Sequence, residues 1–410
     1  MKQLSCDLLV VGGGVAGVCA AIAASRSGVR TILVERYGYL AGTGYAGMLQ
    51  HICGLYLNGE SFPVETLNGG LTQEIVGLLK NKAPKKSVQQ IGQVYVLPYC
   101  AGDLQNVFKD LLDAENSLTI LRNTAATAIV AGYGNTWNVT LEASGETRNI
   151  AATMVVDCTG DGDVAAMAGA AFELSPVDER QLAGFSIRVS GLESRDDSLA
   201  IKVPYYCTQA VERNILPAFM KFTTFSFGES PDECFIKMSR EGKNAPDRDE
   251  RALADAQALF AYLGQVLPSF RQAVITGTSQ KVMDREGRRI GGDYLLTEDD
   301  ILAARKFPDA IARNAWPIEL WDRARGTLYK YVPRGEYYEI PFRCITVKGM
   351  TNLLTAGRCI SVSHAALGST RVMGTCMALG EQAGRAGACF IRTGNFQFAA
   401  GDNHEYFRHN

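Results

Sequence analysis

The period of the apolar positions changes several times along the chain. Leu8 to Val11 is an unbroken apolar run entering Gly12, Val18 to Ser27 is alanine-rich at helical spacing, and Thr31 to Val34 is again short and apolar. A short run without alternation suits a strand buried on both faces, so these segments predict a βαβ unit on a parallel sheet. Gly69 to Leu79 and Gly102 to Ala114 repeat apolar residues at i, i+3 and i+4, which predicts two amphipathic helices, with Asp103 near the start of the second. Strands are predicted over Thr119 to Val130 and Thr136 to Glu142, around the Gly132 to Asn135 turn, and over Ala152 to Val156.

Beyond Ser175 the texture changes. Alternating Phe, Ser and Thr as in Gly184 to Val189, a polar stretch from Glu229 to Arg251, and a helix from Arg251 to Leu263 predict an inserted unit. Leu353 to Ala356 then restores a buried strand. Met373 to Ile391 predicts a helix whose Gly380, Gly384, Gly387 and Ala388 let its backbone come close to the sheet or to a cofactor. The expected fold is α/β. A discontinuous first domain with a central parallel sheet covers 1–175 and 342–395, an inserted mixed α/β substrate or cap domain covers 176–341, and a polar tail covers 396–410.

Composition narrows the function classes. With 47% apolar and 20% charged residues over 410 positions, the chain has material for more than one core. A formal net charge of -2 leaves no electrostatic footprint for nucleic acid or an anionic membrane, so neither is expected as a partner. The 11 cysteines are scattered without a C-x-x-C pair, so no metal site or dithiol is expected and reduced thiols point to the cytoplasm. The N-terminal apolar run passes into a glycine motif without a cleavage site and reads as a strand. The strongest candidate for a membrane span, Thr375 to Ile391, carries Glu381 and Arg385.

Gly12, Gly14 and Gly17 form G-x-G-x-x-G between a predicted strand and helix, and Glu35 closes the next strand. Gly12 permits the tight turn, Gly14 a close approach of pyrophosphate to the backbone, and Gly17 helix–strand packing. The helix N-terminus, with Val15 and Ala16, favours negative charge, and Glu35 can accept hydrogen bonds from ribose hydroxyls. The pattern predicts a dinucleotide site and leaves NAD and FAD open. Two later segments bear on that choice: a strand running into Asp157, Thr159, Gly160 and Asp161, and Asn352 to Arg358 followed by Gly368 to Met373 and the small-residue helix.

In this order, the three segments resemble the FAD-dependent oxidoreductase family whose nucleotide domain is like that of glutathione reductase and the succinate dehydrogenase flavoproteins. The resemblance covers most of the chain: Gly12 to Glu35, Asp157 to Asp163, Arg285 to Gly292, and Gly357 through Ser361, His364, Gly368, Arg371 and Met373 to Gly384. It implies FAD as cofactor, with Gly357, Arg358, Ser361, Arg371, Val372 and Met373 at its ribityl and pyrimidine end. Ala125 and Ala126 fall where the family threads a strand beside the adenine. Arg36, Gly42 and Thr43 complete the implied cofactor contacts. Two departures stand out. Arg358 follows the late glycine where the glutathione reductase pattern has an acid, and Leu40 to Gly44 has no histidine of the kind that binds FAD covalently in succinate dehydrogenase relatives. Non-covalent FAD is therefore expected. With one glycine motif and no dithiol, electrons are expected to pass between the flavin and a small-molecule substrate or an unidentified acceptor or donor. A homo-oligomer is compatible with all of this.

Of the four histidines, His404 and His409 are in the tail and His51 lies in a glycine-flanked loop. His364, between the late strand and the small-residue helix, is the candidate proton relay, and Arg371 the candidate partner for charge on the flavin or on a substrate carboxylate. Arg288, Arg289 and Arg343 read as sheet-edge residues, and the pairs Tyr205–Tyr206 and Tyr337–Tyr338 as strand residues with one member inward. The expected function is an FAD-dependent dehydrogenase or oxidase moving hydride between a small organic substrate and the flavin. The alternatives are a thiazole-synthase-like protein with a cysteine such as Cys207 as sulfur donor, and an electron-transfer flavoprotein subunit.

Overall fold

The computed structural model describes residues 4–242 and 247–396. Strand β1 (Leu4–Val11), helix α1 (Val15–Arg26) and strand β2 (Thr31–Val34) form the predicted βαβ unit, and every residue of β2 is buried. The main sheet runs in the order Thr346–Val347, Met350–Thr355, Glu146–Asp157, β1, β2, Leu118–Leu121. Its four central strand pairs are parallel. Ala125–Ala131 and Trp137–Ala143 extend it as an antiparallel hairpin on Glu146–Asp157. Late helix Met373–Thr393 lies along α1 at very short range, because a Cβ on Gly380 or Gly384 would overlap the Ala16 or Ala20 carbonyl. The small residues of that helix thus fit it to α1, and to β1 at Gly387, which faces Leu8.

A second core is built on a four-stranded antiparallel sheet in the order Thr224–Phe227, Cys234–Arg240, Ala183–Ser190, Val274–Thr278. Helices Leu199–Glu212 and Arg248–Val266 cover it. Its buried residues run from Ala183 to Val282. By contrast Leu296, Ile301, Phe307, Ile311, Ile318 and Tyr338, expected with the inserted unit, pack into the first core beside α1 and the late helix.

Several local expectations change. The single strand expected over Thr119 to Val130 is two, because Asn123 takes a positive φ of 51° and the Thr124 N–H donates to the Glu35 carbonyl. The polar stretch from Glu229 to Arg251 contains strand Cys234–Arg240, whose polar residues face partners in the fold rather than solvent. Tyr205 and Tyr206 are helical, in Leu199–Glu212, which tolerates Pro204 in its interior. His51 belongs to a two-residue strand paired with Pro98 and Leu97. Arg289 is buried and paired with Glu286 instead of covering a sheet edge. Of the expected tail, Phe396 packs on Phe342 and Phe390, while His404 and His409 lie outside the described residues.

Candidate functional site

Two of the three motif glycines are closed off by protein and the third is open. A Cβ on Gly12 would meet the Cys158 backbone, and one on Gly17 the Gly12 carbonyl, whereas a Cβ on Gly14 would meet nothing within 4 Å. Gly14 is also the N-cap of α1 and supplies no side-chain cap, so Val15, Ala16 and Gly17 begin the helix without one. Open space at an uncapped helix N-terminus is a cradle for a phosphate. Beneath it the buried Glu35 carboxylate accepts from the Gly13 N–H at 2.6 Å and the Tyr37 N–H at 2.8 Å. The Ala41 N–H donates to the Gly13 carbonyl, bringing Gly42 against Gly14 and Thr43 to the start of a single helical turn. Since the Thr124 N–H donates to the Glu35 main-chain carbonyl, Ala125 and Ala126 start their strand just past the end of β2. Arg36 instead pairs with Asp163 at 2.8 Å.

The two later segments close on the same place. Buried Asp157 accepts from the Thr159 hydroxyl and N–H and from the Ala165 N–H, which fixes the turn through Gly160. Gly357 sits against Ala16 of α1, and Arg358 pairs with Asp161 at 2.8 Å while its Nη1 is buried without a partner. Arg358, which stands where the late motif would carry an acid, thus has a carboxylate beside it in Asp161. Ser361 is buried among backbone pairs, its N–H donating to the Cys344 carbonyl. Val372 and Met373 are buried beside Gly54 and Gly44. These residues fit an extended dinucleotide along the first turn of α1.

His364 and Arg371 stand at the two ends of one short helix, His364–Thr370. The His364 Nδ1 lies 3.0 Å from Glu286 Oε1 and 3.1 Å from Ser175 Oγ, and Arg289 Nη1 lies 2.9 Å from the same carboxylate. Burial would raise the Glu286 carboxyl, but the hydrogen bonds from His364 and Ser175 outweigh it and hold the group at about 2. The Gln181 N–H donates to Glu286, and the Gln181 Oε1 accepts from Arg371 at 3.4 Å. One network therefore joins both candidates.

Around Arg371 are residues that sequence reading passed over. Glu319 accepts from the Trp321 Nε1 at 3.1 Å and the Tyr329 hydroxyl at 3.4 Å, with Arg371 Nη2 at 4.0 Å from its other oxygen. Lys237 Nζ lies 4.5 Å and the Arg285 guanidinium carbon 3.8 Å from the Trp321 ring centroid. Burial lowers Lys237 to about 8, helped by Arg285, and lowers Arg285 and Arg371 too. Glu319 is held down against its own burial by Arg371, Lys237 and Arg285. No spacing rule links Lys237, Arg285, Glu319 and Trp321; Arg285 alone lay within a segment singled out in the sequence.

Elsewhere, a cleft of about 420 Å³ between strand Cys234–Arg240 and helix Arg248–Val266 is rich in arginine. Its Arg240, Arg248, Arg251 and Arg323 pair with Asp255, Asp284, Asp247 and Glu241. Cys207 is fully buried, and burial pushes its thiol up to about 12, so this cysteine presents no accessible thiolate for sulfur transfer. Among the described residues no helix is long and apolar enough to cross a membrane.

A family model described as FAD dependent oxidoreductase matches residues 7–398. A curated relative, the 4-oxocyclohex-2-ene-1-carboxylate 5-dehydrogenase of Sinomonas cyclohexanicum, is 35% identical over 88 residues, 20% of this chain and 13% of that protein. Among solved structures, the p-nitrophenol 4-monooxygenase of Pseudomonas putida aligns at TM-score 0.50 and 12% identity over 100% of this chain and 84% of its own. The aromatic hydroxylase CabE of angucycline biosynthesis aligns at 0.51 and 13% over 98% and 65%. The Diels-Alderase of pyrroindomycin biosynthesis gives 0.50 and 12% over 98% and 69%. At such identities these likenesses show a shared fold.

Proposed function

This chain belongs to the FAD dependent oxidoreductase family, and we propose that it moves hydride between a small organic substrate and a non-covalently bound FAD. The observation that carries the reading is the open position at Gly14, at an uncapped helix N-terminus above Glu35. Arg358, with Nη1 unpartnered, offers a second donor beside that cradle, and Leu40 to Gly44 provides no histidine for a covalent link. When bound, FAD supplies the acceptor for the substrate's two electrons. The protein's part is positional and protonic. Glu286 and Ser175 engage the His364 Nδ1, which leaves Nε2 to take or return a proton. Arg371 directly precedes Val372 and Met373 and orients charge beside them. Lys237 of the cap sheet stands over Trp321, which bonds to Glu319 beside Arg371. The 35% identical stretch of a named dehydrogenase favours dehydrogenation as the direction.

The glycines supply the test. Wild-type protein should purify yellow and release intact FAD on heating. Gly14→Val should be colourless yet melt close to the wild-type apoprotein, whereas Gly17→Val should fail to fold, since its side chain has nowhere to go. A wild type that stays colourless with added FAD, or a Gly14→Val that still holds it, rejects the reading. In the loaded enzyme, His364→Ala should slow anaerobic bleaching by substrate about 100-fold, within the range for general acid–base groups, without releasing FAD.

A further inference from the structure

Three cations converge on one carboxylate beneath the cap. Lys237 comes from the cap sheet, Arg285 from the segment that leaves it, and Arg371 from the end of the short helix, and Glu319 stands among them. The cluster is enclosed: Arg285 is 7% exposed and the Arg371 side chain 13%. With Lys237, Arg285 and Arg371 charged against Glu319, the group carries two positive charges in excess, an arrangement that burial makes costly unless an anion completes it.

The hydrogen bonding is incomplete in the same sense. Gln181 is 4% exposed; its Oε1 is used by Arg371, while its Nε2 has no partner. The Arg371 Nε is likewise buried without a partner. Lys237 stands over the Trp321 ring, and no hydrogen bond to Glu319 draws it away from the shared space. Every unfilled valence here is a donor and every excess charge positive. A planar carboxylate, accepting through both oxygens, satisfies this set. The arginine-rich cleft differs in charge, since its Arg240, Arg248, Arg251 and Arg323 each have a carboxylate partner of their own.

We propose that Lys237, Arg285, Arg371 and Gln181 bind the carboxylate group of the substrate, so that the enzyme acts on small organic acids. This rests on the flavoenzyme reading for its chemistry but not for its binding, and two readouts separate them. Trp316 and Trp321, two of the chain's three tryptophans, both bond to Glu319 and report on the cluster by fluorescence without flavin. The flavin's visible band reports in the holoenzyme.

The probes are benzoate and benzamide, alike in shape and different in charge, and inorganic phosphate. At pH 7 benzoate should perturb both signals in FAD-loaded protein and bind at least about tenfold more tightly than benzamide. Arg285→Met and Lys237→Met should each weaken benzoate tenfold or more and leave benzamide unchanged, with FAD still bound. Equal binding of benzoate and benzamide, phosphate binding tighter than benzoate, or loss of benzoate binding when FAD is loaded would each overturn the proposal; the last would assign the cations to the cofactor. If the protein takes up no FAD but the tryptophans still show carboxylate-selective binding, the anion site stands and the flavoenzyme reading falls.

Discussion

Glu286 and Glu319 are both carboxylates enclosed among cations, and what separates them is distance. Glu286 is touched by everything around it: His364, Ser175, Arg289 and the Gln181 N–H are all within 3.2 Å. The Glu319 carboxylate takes its hydrogen bonds from Trp316, Trp321 and Tyr329, while Arg371 Nη2 lies 4.0 Å from it and donates at 3.1 Å to the Glu319 backbone carbonyl instead. The first cluster sets Glu286 against Arg289 at contact distance and holds a histidine in place, although the Arg289 Nε is buried without a partner. The second has more positive charge than one carboxylate offsets, besides donors with nothing to bind. A charge-balanced buried network stabilises a conformation; one with cations in excess is completed by an anion.

The largest test of that contrast removes the carboxylate of the charge-balanced cluster. Glu286→Ala leaves Arg289, whose side chain is 5% exposed, with only the exposed Glu173 at 3.4 Å as a carboxylate partner, and should cost about 3 kcal/mol of stability. Thermal unfolding should show this, with no recovery on adding benzoate. Glu319→Gln should behave in the opposite way. The amide keeps an acceptor for Trp321 and Tyr329 but leaves three cations facing each other, so the melting temperature should fall modestly and rise again with benzoate, whose affinity should tighten about tenfold, or about 1.4 kcal/mol. Recovery of both variants by benzoate, or of neither, would erase the distinction.

The smallest expected effect is a titration. Burial lowers Lys237 to about 8, so the ammonium is charged at pH 7 and lost as pH rises through that value. Burial keeps the His51 imidazole below its ordinary value and pushes the Cys53 thiol up to about 12, while Glu319 stays ionised; Arg285, lowered by burial to about 9, sets the upper end of the window. Benzoate affinity should therefore fall between pH 7 and 8.5 as Lys237 loses its charge, and Lys237→Met should flatten the profile over that range. A profile unchanged by that substitution would take Lys237 out of the site.

The dinucleotide end was legible because its signals are local. Gly12, Gly14 and Gly17 lie within six residues, and the change from a continuous apolar run to helical spacing and back fixes β1, α1 and β2. His364 and Arg371 could be singled out because they flank a late motif with its own spacing. The placement of the small residues at Gly380 and Gly384 was less legible. The sequence showed that something approaches closely there, but that it is α1 follows only from the packed helices.

What the sequence determined by itself, then, is the nucleotide-binding half: periodicity selects the elements, and a glycine's permitted φ and missing side chain act on its immediate neighbours. Only the tertiary structure decided that Arg358 would pair with Asp161, and that Lys237, Arg285, Glu319 and Arg371 would share one space. Lys237 lies in a stretch that reads as polar surface, and Glu319 in a segment whose strand packs against the first core instead of the cap. Charges act through space without regard to chain separation, so a cluster drawn from four distant segments leaves no periodic trace in any of them.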